Sequence, residues 1–293
     1  MKFLISLFLF GATLMIAGMT AGWVYAAPEI VRAAESDKNS ITLTARNVTS
    51  AVDIEMAATT ASARGTRPGT VILDGRDGPF VYSADDRSVN IFYSNLTFRG
   101  VNNAYFTNTD DGFFFDDLPA DNIRIEGLFM VSKGGGVVGV GSHKNVVVRG
   151  CTFRASSTAV VADRGKNWTV TENIFLAGDM GVQFIQGSVI TVSHNTISAP
   201  RAVVLDGSFN AKILNNDLNA TSQGIVLTSE ASGIDVLNNT ILGVQSSGIS
   251  LQPGVTNNRV SQNKVLCALG VACQTVEASP NVMEMNRISG NLP

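Results

Sequence analysis

The sequence predicts an all-β chain: a single-domain parallel β-helix solenoid with an N-terminal capping helix. Three observations carry this. The first is a phrase that returns along most of the chain: hydrophobic, any, hydrophobic, two polar residues, Asn, any, hydrophobic. It reads Trp168-Thr169-Val170-Thr171-Glu172-Asn173-Ile174-Phe175, and it returns around Asn195, Asn216 and Asn239, with weaker copies at Asn263 and Asn286. Upstream, Leu96, Leu128 and Cys151 fall at the Asn position, and the steps from Leu128 onward are 23, 22, 22, 21, 23, 24 and 23 residues. A fixed period of that size marks a solenoid. The second observation is a phrase in phase with the first, a small residue followed by apolar, any, apolar. It starts at Gly112, Gly136, Ala159, Gly181, Ala202, Gly224, Gly248 and Gly270. The third is what separates the phrases: short turns rich in Gly, Asn, Ser and Asp. Short Val- and Ile-rich segments with period-2 alternation are strands, and each is expected to pair with its counterpart one coil later at ~4.8 Å.

Taken in order, residues 1–26 read as a secretory signal. Lys2 is the positive region, Phe3 to Ala17 is apolar, and Val24-Tyr25-Ala26 offers a small-residue cleavage site. Gly and Thr dilute the apolar stretch, which favours cleavage over the alternative, an uncleaved anchor. A secreted or periplasmic protein follows, with no membrane contact after cleavage. Residues 27–65 are an N-terminal segment with one helical stretch, running from an N-cap at Ser50 to Ala63 and ended by Gly65. Val52, Met56 and Ala57 are expected on its buried face, and its task is to cover the open end of the coil.

Residues 66–293 are the β-helix itself. Asn side chains at equivalent turns can bond amide to amide along the axis, and Asn tolerates the left-handed backbone of a tight corner. Cys151 occupies that column and reads as an inert buried thiol. Cys267 and Cys273 can bridge in an exported protein, or stand as two small buried side chains; both readings remain open. Formal net charge is −3 and charged residues make up 15% of the chain, so there is no basic footprint for nucleic acid. Two His and three Cys without ligand spacing argue against a structural zinc or copper site, and no resident cofactor is expected.

The repeat phrase resembles the right-handed parallel β-helix superfamily, the pectate-lyase-like group, over about residues 66–291. The resemblance implies that the Asn ladder fills the corner between the second and third sheets. The strands that start with Gly then form the first sheet, whose outer face carries substrate. Polysaccharide is the implied partner.

Alternation sorts that face. With Gly224 as origin, Ile225 and Leu227 point in while Val226 and Thr228 point out. The nearer outward column reads Phe114, Val138, Val161, Gln183, Val204, Val226, Ser250, Ala272, and the farther reads Asp116, Val140, Asp163, Ile185, Asp206, Thr228, Gln252, Gln274. Carboxylates recur on alternate coils, about 9–10 Å apart at two strand spacings. Asp117, His143 and Arg164 follow in the adjoining turns. The candidate catalytic set is therefore Asp116, Asp117, His143, Asp163 and Arg164, with Phe114, Gln183 and Asp206 as substrate contacts and Tyr93 and Tyr105 as further aromatics nearby. An inverting glycosidase needs two carboxyls about 6.5–9.5 Å apart. A Ca²⁺-assisted lyase needs carboxylates for the metal and an Arg or Lys as base. The same residues also read as solvated turn residues.

Residues 108–121 hold five Asp and three consecutive Phe. Asn108-Thr109-Asp110, Asp116-Asp117 and His143 look like the ordered acid-and-histidine motifs of polygalacturonases. The spacing departs from that family, the histidine context is Gly-Ser-His, and Arg164-Gly165-Lys166 lies in the wrong register. Two functions stay open: an enzyme acting on polysaccharide, a lyase or glycoside hydrolase, and a non-catalytic carbohydrate-binding or structural cell-surface protein.

Overall fold

The hydrogen bonds of the sheets run from coil to coil, and bonds within a coil are confined to turns, such as Ala231 N–H to the Thr228 carbonyl at 3.1 Å, and to the helix. In the computed structural model, which describes residues 39–81, 87–108, 110–116, 120–267, 281–284 and 286–290, the strands pair in parallel. The signal segment proposed at 1–26, Asp117 and Cys273 lie outside the described residues. Among the described residues, one sheet has eleven strands, from Ser40–Thr44 to Val282–Glu284, and corresponds to the expected second sheet. The first and third sheets share strands. Thr196–Asp206 and Asp217–Thr228 each run through the corner between them, so the two are hydrogen-bonded as one extended sheet.

Register holds the tube together. Val170 pairs with Val192, Val192 with Ile213, Ile213 with Val236, and Val236 with Val260. All five are buried. Side chains some 22 residues apart thus stack at the ~4.8 Å strand spacing. Wider residues fill the N-terminal half, where Phe98 lies against Phe113 at 4.9 Å, and Trp168 against Phe115 at 5.9 Å and Phe184 at 5.7 Å.

The expected ladder is present and continuous. Asn173, Asn195, Asn216, Asn239 and Asn263 each donate the side-chain amide to the next Asn oxygen at 2.9–3.1 Å. Each amide also reaches a carbonyl one coil back, as Asn173 does to Val148 at 2.9 Å. Cys151 heads the column, and its Sγ lies 3.5 Å from the Ile125 carbonyl, the equivalent acceptor. Burial pushes its thiol up to about 12, so it is inert at neutral pH. Cys267 is buried and disulfide-bonded.

Three details differ from expectation. The left-handed residue of this corner is not the ladder Asn but the one before it: Gly127, Gly150, Glu172, His194, Asn215, Asn238 and Gln262 all have φ between 53° and 64°. The ladder amide is then free to point inward while its predecessor makes the turn. Leu96 is not in the column, because it pairs with Ile123 at the start of a second-sheet strand. The helix spans Ala51–Ala61 behind the Ser50 cap, and it buries Ala51, Ile54, Ala57, Ala58 and Ala61, not Val52 or Met56. A face of Ala around one Ile lets the helix lie close on the first coil. The strand Ser40–Thr44 precedes it and already pairs with Gly69–Asp74.

A second, outward row of amides went unread in the sequence. Asn95, Asn122, Asn145 and Asn167 open second-sheet strands with φ of 56–63°, and their side chains chain together at 2.7–2.9 Å. Val189 occupies the next place, at φ 55° and 47% exposed. A β-branched residue there is strained.

Two outcomes follow. Val189→Asn extends the outward row and relieves the strain, so urea unfolding should show about 1 kcal/mol more stability; an unchanged or lower midpoint contradicts the account. Asn239→Leu orphans the Asn216 amide groups and the Ile213 carbonyl, at about 1–3 kcal/mol for each group left unpaired. The same unfolding curve measures it.

Candidate functional site

The farther outward column of the first sheet forms as the alternation requires. Asp163 pairs with Ile185, Ile185 with Asp206, and Asp206 with Thr228. The neighbouring pairs Gly139 with Phe115 and Ala162 place Asp116 and Val140 in the same row. Asp163 and Asp206 are thus two strand spacings apart, ~9.6 Å. The nearer column aligns Val161, Gln183, Val204, Val226 and Ser250.

Beside this row the chain turns through a second set of left-handed residues, Gly141, Arg164, Gln186, Gly207 and Ser229. Their side chains project from the corner. Where Gly207 carries none, a shallow depression of about 410 Å³ opens, lined by Ile185, Gln186, Asp206, Gly207, Ser229 and Glu230. Asp206 accepts a hydrogen bond from the Thr228 hydroxyl at 2.7 Å. Asp163 is tied to its own neighbour, with Arg164 Nε donating at 3.0 Å. Asp116 is exposed at the N-terminal end of the row, and Phe114 and Gln183 are half-buried.

His143 is not on this face. It is 1% exposed, with its ring 5.3 Å from that of Phe115. Its Nε2 lies 2.8 Å from the Val140 carbonyl, and Ala120 N–H donates to Nδ1 at 3.4 Å. A carbonyl only accepts, so this network assigns the proton to Nε2. The cause is absent side chains. Gly139 and Gly165 would each drive a Cβ into Trp168, at 3.1 and 2.7 Å. The room they leave lets Trp168 fill the tube, donate to the His143 carbonyl at 3.0 Å, and draw the turn inward.

The nearer column is closed in its later coils. Val204 and Val226, 6% and 4% exposed, form a small apolar cluster with Met180, and Ser250 is also buried. Tyr105 is not beside the first sheet either. It lies on the third-sheet strand Tyr105–Asn108, its ring 4.9 Å from that of Phe129. The residues the sequence reading missed here, Gln186 and Glu230, sit at left-handed corner positions that strand alternation does not reach. Among the described residues, no three His, Cys, Asp or Glu side chains gather closely enough to hold a metal ion. Among them, too, no helix is long and apolar enough to cross a membrane.

The acidic segment splits three ways. Asp110 is exposed, Asp111 is half-buried, and Phe113 and Phe115 fill the core. Asp111 accepts the Gly135 N–H at 2.5 Å, and a Cβ on Gly134 would collide with its carboxylate. Gly134 and Gly135 thus make room for this carboxyl, while Gly136 makes room for the Phe153 ring and the Ala159 carbonyl. Burial pushes Asp111 above the usual carboxylate range; the Gly135 N–H opposes this and the charge of Asp110 adds to it.

The structure therefore defines a parallel β-solenoid whose first-sheet edge carries a row of carboxylate, hydroxyl and amide groups. Residues 135–288, more than half of the chain, match the family described as right handed beta helix region, and the chain belongs to it. No curated protein matches the sequence. Among solved structures it is similar to PfbA, a surface adhesin of Streptococcus pneumoniae, at 12% identity over 86% of this chain and 92% of that one, with a TM-score of 0.55. It is also similar to DFA-IIIase from Arthrobacter chlorophenolicus A6 without its lid, at 12% identity over 87% and 90%, with a TM-score of 0.60. The same enzyme in complex with DFA-III matches at 12% identity over 86% and 84%, with a TM-score of 0.57. At such identity these likenesses show the fold.

The Asp111 geometry gives a pH test. A carboxyl whose folded-state value is raised stabilises the fold while protonated and loses that contribution as pH climbs through the folded value. Asp111→Asn keeps an acceptor for the Gly135 N–H and carries no charge. Its melting temperature should exceed wild type at pH 7, and the gap should close as pH falls below about 3.9. Thermal melts between pH 3 and 7 that show no gap, or a reversed one, refute this.

Proposed function

We propose that the chain is an exported β-helix protein that holds polysaccharide along the first-sheet edge without cleaving it. One observation carries the reading: the in-register row of Asp163, Ile185, Asp206 and Thr228 beside the depression lined by Gln186, Ser229 and Glu230. Carboxylate and amide oxygens accept hydrogen bonds from sugar hydroxyls, and amide N–H and hydroxyl groups donate to them. Their repeat at coil spacing suits an extended, repeating ligand. The adhesin and DFA-IIIase neighbours support a carbohydrate-facing role outside the cytoplasm.

Three placements weigh against cleavage. His143 lies inside the tube, Asp163 is paired with Arg164, and Asp206 accepts from Thr228. The second reading, an inverting hydrolase, rests on the two strand spacings, ~9.6 Å, between Asp163 and Asp206, at the upper end of the ~6.5–9.5 Å carboxyl window.

Affinity electrophoresis through gels cast with acidic and neutral polysaccharides tests the proposal, alongside reducing-end release and unsaturated-uronate absorbance. Retarded migration is expected on at least one polymer without product. Asp206→Ala should weaken retention about two- to tenfold, as loss of one hydrogen-bonding group does. Product that disappears in Asp163→Ala turns the reading to an enzyme, and no retention on any polymer ends it.

A further inference from the structure

We infer that a second saccharide site lies on the other side of the coil, where the second sheet turns into the third. It takes one ring of a neutral polysaccharide. It does not depend on the first-sheet reading.

The corner residue before each ladder position has the same left-handed backbone in seven consecutive coils. In five of them it is Glu172, His194, Asn215, Asn238 or Gln262, and only at 127 and 150 is it glycine. Backbone conformation does not demand glycine there, since the others adopt it with a side chain. Packing does not demand it at Gly150, where an added Cβ meets nothing within 4 Å. At Gly127 an added Cβ would come within 3.1 Å of the Gly100 carbonyl, so packing favours glycine there; what Gly150 does is leave space. That space is a depression of about 680 Å³, lined by Asn103, Ala104, Tyr105, Gly127, Leu128, Phe129, Gly150 and Thr152, within the usual size of ligand pockets, roughly 300–1,000 Å³.

Its floor is aromatic. Tyr105 and Phe129 head neighbouring third-sheet strands in register, with ring centroids 4.9 Å apart and planes tilted by 55°. Phe129 is 38% exposed, so its ring is open to a ligand. The C–H face of a pyranose presents a flat apolar surface that packs on such rings, as apolar ligand faces do on aromatic pocket walls. Asn103, exposed at the rim, has an amide that both donates and accepts, and the Thr152 and Tyr105 hydroxyls do the same. No charged side chain lines the depression, which is why the ligand assigned is neutral.

The experiment uses the full chain and affinity electrophoresis with a neutral glucan, a mannan and a xylan, and with polygalacturonate as the acidic polymer. Gly150→His places at this corner the residue that His194 already carries at the equivalent one, so the fold is kept while the depression is filled. Phe129→Ser removes the platform from an exposed position. Each should lower affinity for a neutral polymer at least tenfold, with melting temperature close to wild type. No neutral polymer retained by wild type, or equal retention by wild type and both variants, overturns the inference. Retention sensitive only to Asp206→Ala also overturns it and leaves the first-sheet reading standing.

Discussion

Coil-to-coil registry is the constraint on which everything else in this molecule rests. Each backbone donor in a sheet finds its acceptor one coil away, so a coil that turned one residue early would misplace every later pairing and turn core side chains outward. The corners must therefore turn at the same place each time. They do so with left-handed residues at three recurring positions, leaving the first sheet and entering and leaving the second. Left-handed backbone is disfavoured for most residues. Each corner offsets this differently: by glycine at 127, 141, 150 and 207, and by an amide row that bonds along the axis at 95, 122, 145 and 167.

The inner ladder does a related job without strain. Its Asn residues lie outside the left-handed set, and each spans two gaps at once, bonding one coil forward through its neighbour's amide oxygen and one coil back through a carbonyl. Such a residue cannot be exchanged for an apolar one of the same size without leaving buried groups unpaired, which is why one residue type recurs. Cys151 shows the limit of substitution, since a thiol reaches the backward acceptor more weakly.

That recurrence made the fold legible in the sequence. The period, the parallel pairing, the inward column and the position of the first-sheet carboxylates all follow from counting along one phrase. What was not legible depends on side chains that are missing. His143 reads as an outward turn residue because alternation cannot register the room beside Gly139 and Gly165 that Trp168 then fills. Tyr105 was placed near the wrong sheet because the phrase is faint upstream of Leu128, where Leu96 misled the frame. The Ser50 cap marks the helix in the sequence, but the spacing of Val52, Met56 and Ala57 does not show which face packs, and the face that does is the small one, Ala51, Ile54, Ala57, Ala58 and Ala61. The depressions at both corners come from glycines whose significance appears only when the other coils are lined up beside them.

The helix has one contact that reaches beyond stability. Glu55 is nearly buried and accepts from the backbone N–H and the side-chain amide of Asn90, at 2.8 and 2.9 Å, with Arg87 held at 2.9 Å. Asn90 belongs to Val89–Asn90, the outermost described strand of the first sheet. An outermost strand is a template that another polypeptide can copy onto. By occupying the Asn90 N–H with a carboxylate, the chain removes one backbone donor that end-on addition of a second molecule would use at the first sheet's leading rim.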